Sequence, residues 1–506
     1  MRKSSTQKIT RSLCGVSPKA AGRTAWLASG SLALVLLSGC KPVGPDYSKP
    51  AYQAPEAYKE LGASSVLPPP APQAGAWSTA APADDQARGK WWQVYQDPKL
   101  NELEEQLSKA NYDLKQANEV YLAARDQAQS ARSSLFPTIS AGPSLDRTHL
   151  STNRPTASSY THYNDFVLGG QASWEPDFWG KVRRSVEAAH ATAQASAADL
   201  ATIDLSLHAE LASDYFSLRG LDSQVRMMTS TVANLQSQLE LTEQRLAGGV
   251  STEADVEQAR TQLETVRAQL VDLAASRALL EHAMATLTGQ NAAGFQLAPA
   301  PLELALPKIP AGLPSELLER RPDIAAAERR VVAANAQIGI AQSAYYPDIA
   351  LSATGGFEST HGGTWLVGPS ELWSLGAKAT ELLFDGGERH ALTNEARHNY
   401  QAQTDAYRST VLNAFNGVED QLSTLRVLEE EASVEQKAVA SAQRSLDLSN
   451  QRYKGGVASY LEVLTAESAL LNNQRTAIGI TTRQFVASVG LVRSLGGGWS
   501  TQQLPR

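Results

Sequence analysis

The sequence predicts a mainly α-helical fold with a transmembrane β-barrel. In this fold a long α-helical coiled-coil tunnel is joined to four strands per chain, which complete a twelve-stranded barrel in a homotrimer. Three observations predict it. The chain is internally duplicated, its helical segments are too long for a globule, and each half holds one pair of strands with alternating polarity. One chain therefore has to assemble with copies of itself to close a barrel.

The N-terminus has the features of a lipoprotein signal peptide, predicted over residues 1–39. Basic residues precede an apolar run, Ala25–Leu37, that is too short to span a bilayer as a helix. The run ends in Leu37-Ser38-Gly39-Cys40, a lipobox, so cleavage would leave Cys40 as the lipidated first residue. Lys41 at the next position favours the outer membrane. The alternative is an ordinary signal peptide followed by a chance cysteine.

Residues 40–95 are predicted to form a lipidated N-terminal arm. The stretch is rich in Pro, Ala and Ser and includes Pro68-Pro69-Pro70, which is typical of extended chain rather than of a domain. Acyl chains on Cys40 would hold the arm to outer-membrane lipid.

The chain contains one loop twice, as QRLAGGVSTEADVEQA over Gln244–Ala259 and as QRYKGGVASYLEVLTA over Gln451–Ala466. Each copy joins two long helical patterns through a Gly-Gly pair, where a residue without a Cβ takes the left-handed backbone that ends a helix. The same offset aligns Gly180 with Gly387. The sequence therefore predicts two similar halves, each with a helical hairpin that ends in a tip.

The helical patterns are those of a coiled coil. Ser185 to about Leu246 has no Pro and one Gly, which predicts a helix of about 60 residues and roughly 90 Å. A shorter helix returns from Thr252 to about Leu287, and single helices over Leu100–Ser134 and Ile324–Ser343 would stack end-on above the returning helices. Apolar residues spaced alternately by three and four form the seam: Val225, Met228, Val232, Leu235, Leu239, Thr242, Leu246, Val256, Ala259, Leu263, Val266, Leu270 and Leu273, then Val439, Ala442, Leu446, Tyr453, Val463, Ala466, Leu470 and Ile480.

Each half also holds a predicted β-hairpin, at about 137–176 and about 347–384. Apolar residues such as Ile139 and Leu375 alternate with polar ones such as Ser140 and Ser374. An ordinary half-buried hairpin is the alternative, but in a chain directed to the outer membrane this pattern fits a transmembrane barrel. Because lipid does not tolerate the two open edges of a four-stranded sheet, three chains are expected to pool their strands.

The resulting organisation has six parts. After the signal peptide and the arm come a first repeat at 96–292 with its tip at 246–251, an equatorial linker at 293–320, a second repeat at 321–496 with its tip at 453–458, and a C-terminal tail at 497–506.

Composition excludes several functions. The chain has 45 Lys+Arg against 52 Asp+Glu and a net charge of −7, without the basic excess of a nucleic-acid surface. Cys14 and Cys40 both lie near the N-terminus, so the mature chain has no cysteine pair for a disulfide or a metal site. The 8 histidines are scattered, and no nucleophile–base pair or phosphate loop is found. We therefore expect no enzyme activity, no cofactor and no metal.

The motifs resemble those of the outer-membrane factors of tripartite efflux systems, of the OprM/NodT lipoprotein type and related to TolC. The matching segments are VGPDY at Val43–Tyr47, NYDL at Asn111–Leu114, FPTI at Phe136–Ile139, WEPDFWGKVRR at Trp174–Arg184, LPSELLERRPDI at Leu313–Ile324, YYPDI at Tyr345–Ile349, FDGG at Phe384–Gly387 and RYKGGVASYLEVL at Arg452–Leu464.

The resemblance implies a homotrimer that conducts passively. An inner-membrane transporter, often of the RND class, would supply energy, and a periplasmic adaptor would dock on the tips. The tips would also be the periplasmic gate, with simple helix turns as the alternative. Relatives often carry an acidic residue soon after the second glycine pair, where this chain has Ala458-Ser459, so Glu462 and Glu467 are expected to replace it in part. The tip and gate residues so implied are Leu246, Gly248, Gly249, Val250, Ser251, Tyr453, Gly455, Gly456, Val457, Ser459 and Glu462.

The expected function is an exit channel for drugs or other small toxic compounds. Metal-ion efflux or protein secretion by the same fold is an alternative. A non-conducting, lipid-anchored envelope scaffold is the alternative from another class.

Overall fold

The computed structural model describes residues 41–51, 54–55, 57–62, 89–153, 161–311, 320–499 and 503–504. The predicted signal peptide, the predicted lipidation at Cys40, much of the arm and the first residues of the LPSELLERRPDI motif lie outside these ranges.

Helices dominate the described chain, and their bounds repeat between the two halves. The α-helices are α1 Pro98–Ala110, α2 Tyr112–Ser133, α3 Lys181–Ala247, α4 Glu253–Leu287, α5 Pro322–Ser343, α6 Glu388–Lys454 and α7 Tyr460–Ser494. Both α3 and α6 have 67 residues, and both α4 and α7 have 35, so the sequence duplication is a structural repeat. None of the described helices is long and apolar enough to cross a membrane.

The helix predicted over Leu100–Ser134 is two helices, and the prediction of one continuous helix is wrong at Asn111. There the backbone has φ −58° and ψ 130°, outside the helical region. The Asn111 Oδ1 accepts a hydrogen bond from the Leu114 amide at 2.8 Å, and its Nδ2 donates to the Leu287 carbonyl at 2.9 Å. One side chain therefore starts α2 and satisfies an orphan carbonyl at the end of α4.

The chain forms two compact units. The first is formed by the described residues of Met1–Asp46, Ala131–Val186 and Ala336–Ala396, and it contains every described strand. The second is Tyr47–Ser130, Glu187–Asn335 and Arg397–Arg506, and it contains the hairpin tips.

The first unit holds one antiparallel sheet in the order β1-β2-β3-β4. The strands are β1 Thr138–His149, β2 His162–Trp174, β3 Asp348–Ser359 and β4 Glu371–Thr380. The register pairs Ile139 with Ala172, Ala172 with Ala353, and Ala353 with Leu375. Since directly paired residues share a face, the apolar positions of all four strands lie on one side of the sheet.

The apolar face of the sheet is exposed in the single chain. The exposed fractions of Ile139, Trp373 and Leu375 are 78%, 73% and 75%. The opposite face carries polar side chains, among them Ser140, Gln171, Ser352, Thr354, Ser374 and Lys378. A sheet with water-exposed apolar side chains along one face needs a non-aqueous neighbour.

In the second unit the predicted seam is a buried core that joins both hairpins. Met228, Leu235 and Leu263 are at most 1% exposed, and they belong to one cluster with Val463 and Leu470 of the other hairpin. Leu246 was predicted as the last seam position before the tip, but it is 37% exposed. In the first hairpin the buried core therefore ends before the tip begins, whereas in the second hairpin it reaches Tyr453.

Candidate functional site

The first tip is a helix C-terminus closed by a Schellman motif. The Val250 amide donates to the Arg245 carbonyl at 2.8 Å, and the Gly249 amide donates to the Leu246 carbonyl at 2.9 Å. Gly249 has φ +72°, the left-handed conformation that glycine adopts without steric cost. The two glycines thus satisfy the last carbonyls of α3 while the chain reverses.

The second tip has the same backbone. The Val457 amide donates to the Arg452 carbonyl at 3.0 Å, the Gly456 amide donates to the Tyr453 carbonyl at 3.0 Å, and Gly456 has φ +75°. Because both tips have the same hydrogen bonds, the sequence repeat encodes the turn itself.

The two tips differ in how the returning helix starts. At the first tip Thr252 and Asp255 form a capping box: the Asp255 amide donates to Thr252 Oγ1 at 3.3 Å, and the Thr252 amide donates to Asp255 Oδ2 at 2.9 Å. At the second tip Ser459 makes no side-chain cap hydrogen bond. There an ion pair of 3.3 Å between Arg452 and Glu462 links the two helices.

Both tips present apolar side chains to solvent. Val250 and Val457, at equivalent positions of the two turns, are 68% and 71% exposed, and Leu461 is 56% exposed. Neither valine is in the seam core. The ends of the two hairpins therefore carry apolar surface that the chain itself does not cover.

An aromatic group lies between the hairpins just behind the tips. The Arg245 guanidinium lies 4.5 Å from the centre of the Tyr453 ring, and Tyr453 meets Tyr460 edge-on with centroids 5.6 Å apart. Tyr460 is 1% exposed, and burial raises the pKa of its hydroxyl. A cation over an aromatic face is an attractive contact, so Arg245 ties the first hairpin to the second.

A buried carboxyl group lies further from the tips than the two tyrosines. Glu467 of α7 is 5% exposed, and its Oε1 accepts a hydrogen bond from Gln238 Nε2 of α3 at 3.4 Å. Within the described residues its Oε2 has no hydrogen-bond partner. Burial raises the pKa of Glu467 to about 7, against an opposing effect of the Gln238 amide.

A cavity of about 190 Å³ lies beside Gln238, the hydrogen-bond partner of Glu467, and is also lined by Thr242, Tyr453, Lys454 and Tyr460 among others. Its lining is partly polar and contains both tyrosines, so the two hairpins are not packed solidly together behind the tips.

The structure brings the predicted tip residues together in two clusters and adds side chains that the sequence did not indicate. Leu246, Gly248, Gly249, Val250 and Ser251 form the first turn; Tyr453, Gly455, Gly456, Val457, Ser459 and Glu462 belong to the second. Arg245 and Gln238 were missed because their contacts, with Tyr453 and Glu467, cross between hairpins that are far apart in sequence. Tyr460 was also missed, although it contacts Tyr453 within the second hairpin. Arg245 alone had a sequence signal, because the offset between the two repeats aligns it with Arg452.

These features define a class of protein. A sheet with an apolar outer face, a polar opposite face and two open edges is the building block of a transmembrane barrel, and paired helical hairpins with closed tips accompany it in the same chain. The chain is thus a channel-forming protein of the outer membrane.

Comparison with known proteins agrees with this class. The family model described as outer membrane efflux protein matches residues 103–290 and 313–497. The chain is 31% identical over 457 residues to the pyoverdine export outer membrane protein OpmQ of Pseudomonas aeruginosa, covering 88% of this chain and 96% of that protein. It is 30% identical to the toluene efflux pump outer membrane protein TtgC of Pseudomonas putida, covering 94% of this chain and 96% of that protein.

Solved structures show the same fold. The outer-membrane channel OprN aligns with a TM-score of 0.82 at 29% identity, covering 90% of this chain and 99% of that one. The outer membrane protein VceC of Vibrio cholerae aligns with a TM-score of 0.77 at 29% identity, covering 81% and 99%.

The chain belongs to the outer membrane efflux protein family. It is an outer-membrane channel of an efflux pump, built from long helices and a transmembrane sheet. The predicted family, fold class, channel function and location in the outer membrane are confirmed, and the family is one of channel proteins rather than enzymes.

Proposed function

We propose that three copies of this chain form the exit duct of a tripartite efflux pump, which receives cargo from an adaptor and an inner-membrane transporter. The open edges of the sheet carry this proposal. In the described chain β1 pairs with β2 alone and β4 pairs with β3 alone, so the outer backbone groups of both edge strands lack a ladder partner.

Lipid cannot satisfy those backbone groups, and each unpaired group in hydrocarbon costs several kcal/mol, roughly. Pairing β1 of one copy with β4 of the next removes every open edge when the ring closes. Three copies give a barrel of about twelve strands, within the range of outer-membrane barrels, and the polar face of the sheet then lines a lumen.

The tips are proposed to close the periplasmic end and to contact the adaptor. The support is the exposed apolar pair Val250 and Val457, together with the unfilled cavity behind the tips. We expect Val250→Asp and Val457→Asp to abolish export in cells while the purified channel still inserts and conducts. Val271→Asp, at a valine that is 73% exposed elsewhere on α4, is the matched control. Full export by both tip variants would remove the adaptor role.

Lipidation at Cys40 is proposed from the lipobox, and the residues just after it are held in place. Arg184 is 4% exposed; its Nη2 donates to Asp46 Oδ1 at 2.9 Å and its Nε donates to the Val43 carbonyl at 3.3 Å. Gly44 has φ +97° and no room for a Cβ. Mass spectrometry of the N-terminal peptide tests the acyl chains, which Cys40→Ala should lose.

The cargo is proposed to be small toxic or exported organic compounds, and the chain is proposed to do no chemistry on it. Relatives are named for export of pyoverdine and for efflux of antibiotics and toluene. A deletion strain should become more susceptible to drugs, dyes and solvents and recover when the gene is restored. Susceptibility to metal salts alone would favour metal-ion efflux, and loss of a secreted protein would favour protein secretion.

Recording in planar bilayers separates a duct from a scaffold. The purified channel should show discrete conductance steps, whereas a lipid-anchored envelope scaffold would show none. The absence of conductance, even after the tips are loosened by removing the Arg245 side chain, would overturn the proposed duct.

A further inference from the structure

Two histidines face each other across the outer end of the β1–β2 hairpin. His149 is the last residue of β1 and His162 the first residue of β2, and the ladder pairs them directly. Their rings are stacked with centroids 4.0 Å apart and planes 18° apart, and both side chains are exposed.

The hydrogen-bond pattern places this pair where side chains come closest. The Leu150 amide donates to the Thr161 carbonyl at 2.8 Å, which makes these two residues a hydrogen-bonded pair. In an antiparallel ladder such pairs alternate with non-hydrogen-bonded pairs, so His149 and His162 form one of the latter. The Cα atoms of such pairs are about 4.5 Å apart, and both side chains point to the same face.

We propose that His149 and His162 form a two-histidine site for a divalent transition-metal ion. Neutral imidazole nitrogens are ligands for Cu²⁺, Ni²⁺ and Zn²⁺, and Cu²⁺ binds most tightly to a given nitrogen site. No group of three or more His, Cys, Asp or Glu side chains suited to a metal occurs within the described ranges. The protein therefore supplies two ligands, and water fills the remaining positions.

The surroundings set the strength of the site. On the same face the preceding pair is Arg147 with Asn164, so a residue of positive charge two positions from His149 opposes a bound cation. Asp146 and Asp165 are paired three residues from the histidines along the strands and lie on the opposite face. The ion is thus held by the two rings alone and exchanges readily. It joins the ends of β1 and β2 at the point where the ladder stops.

The scattered histidines gave no sign of this site in the sequence, because spacing along a helix face does not indicate partners on neighbouring strands. The pair is formed by the register of the hairpin, which the sequence alone did not determine.

The test titrates copper sulfate into the full-length channel in detergent, purified with a tag that lacks histidine, and records electron paramagnetic resonance spectra. We expect one readily chelated Cu²⁺ per chain with hyperfine coupling from two nitrogens. His149→Thr and His162→Thr, which keep a residue suited to strands, should each lose that signal. His282→Ala, at an exposed histidine on α4, should keep it.

An unchanged copper spectrum and stoichiometry in both threonine variants would overturn the proposal, as would wild-type protein that binds no Cu²⁺. Circular dichroism and the migration of the assembled channel show whether each variant is folded. Zinc chloride, which should displace the bound Cu²⁺ when added in excess, distinguishes a general divalent site from a copper-specific contact elsewhere.

Discussion

Glu467 is a carboxyl group held away from water between the two hairpins. Burial raises its pKa from an ordinary value of 4.5 to about 7, so the folded chain holds this proton more tightly than the unfolded chain does. The contribution of Glu467 to the free energy of unfolding is therefore fully present below pH 4.5, and it is lost as the pH rises towards 7. The full effect is on the order of 3 kcal/mol.

Glu467→Gln keeps the shape of the side chain and removes its titratable carboxyl group. We expect the variant to be more stable than the wild type at pH 8 and to differ little from it near pH 4.5, because the amide needs no proton to stay neutral. Thermal unfolding followed by circular dichroism between pH 4 and 9 measures this. Glu462→Gln, at an exposed ion pair, should leave the pH profile nearly unchanged. Parallel profiles for the wild type and Glu467→Gln would contradict the assignment.

The glycines of the first tip provide a second test at this scale. Gly249 has φ +72° with open space around a Cβ, whereas Gly248 is not in the left-handed region and also has room. Gly249→Ala should destabilise the tip by ~1–2 kcal/mol from backbone strain alone, while Gly248→Ala should be neutral or stabilising. Urea unfolding compares them, and equal losses in both would argue against the Schellman turn.

At the residue scale the sequence indicated the glycine pairs but not the side chains behind them. A Gly-Gly pair between two helical patterns is a local signal, and it was interpretable. Which glycine takes the positive φ was not, and neither was the contact of Arg245 with Tyr453, because that contact depends on how two hairpins distant in sequence pack together.

At the element scale Asn111 shows where periodicity misleads. The apolar stripe continues across the break, so the pattern predicted one helix from Leu100 to Ser134. The signal present was an Asn at a helix start, but its second partner, the Leu287 carbonyl, is 176 residues away and is not readable from the sequence. Helix breaks of this kind are decided by tertiary hydrogen bonds.

Asn111→Ala should destabilise the chain by about 2 kcal/mol, because it removes the cap of α2 and leaves the Leu287 carbonyl without its donor. Urea unfolding is the measurement. Asn291→Ala is the control: its Oδ1 accepts from the Ala293 amide at 3.0 Å in an exposed turn, and a loss of a few tenths of a kcal/mol, roughly, is expected. An equal loss in both would mean that Asn111 is an ordinary surface cap.

The two faces of β4 are tested by one pair of substitutions. Leu375→Arg places a charge on the apolar face, which should cost roughly 2–4 kcal/mol near the bilayer midplane. Ser374→Arg places the same charge on the polar face, where water solvates it. Folding into phospholipid vesicles, followed by protease protection, should fail only for Leu375→Arg. Failure of Ser374→Arg alone would reverse the assignment of lumen and lipid faces, and failure of both variants would contradict it.

At the scale of the whole molecule, two signals were the most informative. One was the internal duplication, and the other was that the four strands of one chain cannot close a barrel. The repeat predicted two similar halves, and each half has one helix of 67 residues and one of 35. The register of the sheet was out of reach, because a shift by one residue along a strand changes every cross-strand pair and moves each side chain to the other face. For the same reason the His149–His162 pair was invisible in the sequence.

The central claim is that neighbouring copies of the chain close the open edges of the sheet. Native mass spectrometry of the purified channel, released from detergent, tests it most directly. We expect a single assembly of three chains, which dissociates only when the sheet unfolds. A folded, detergent-solubilised monomer with the same strand content would contradict it.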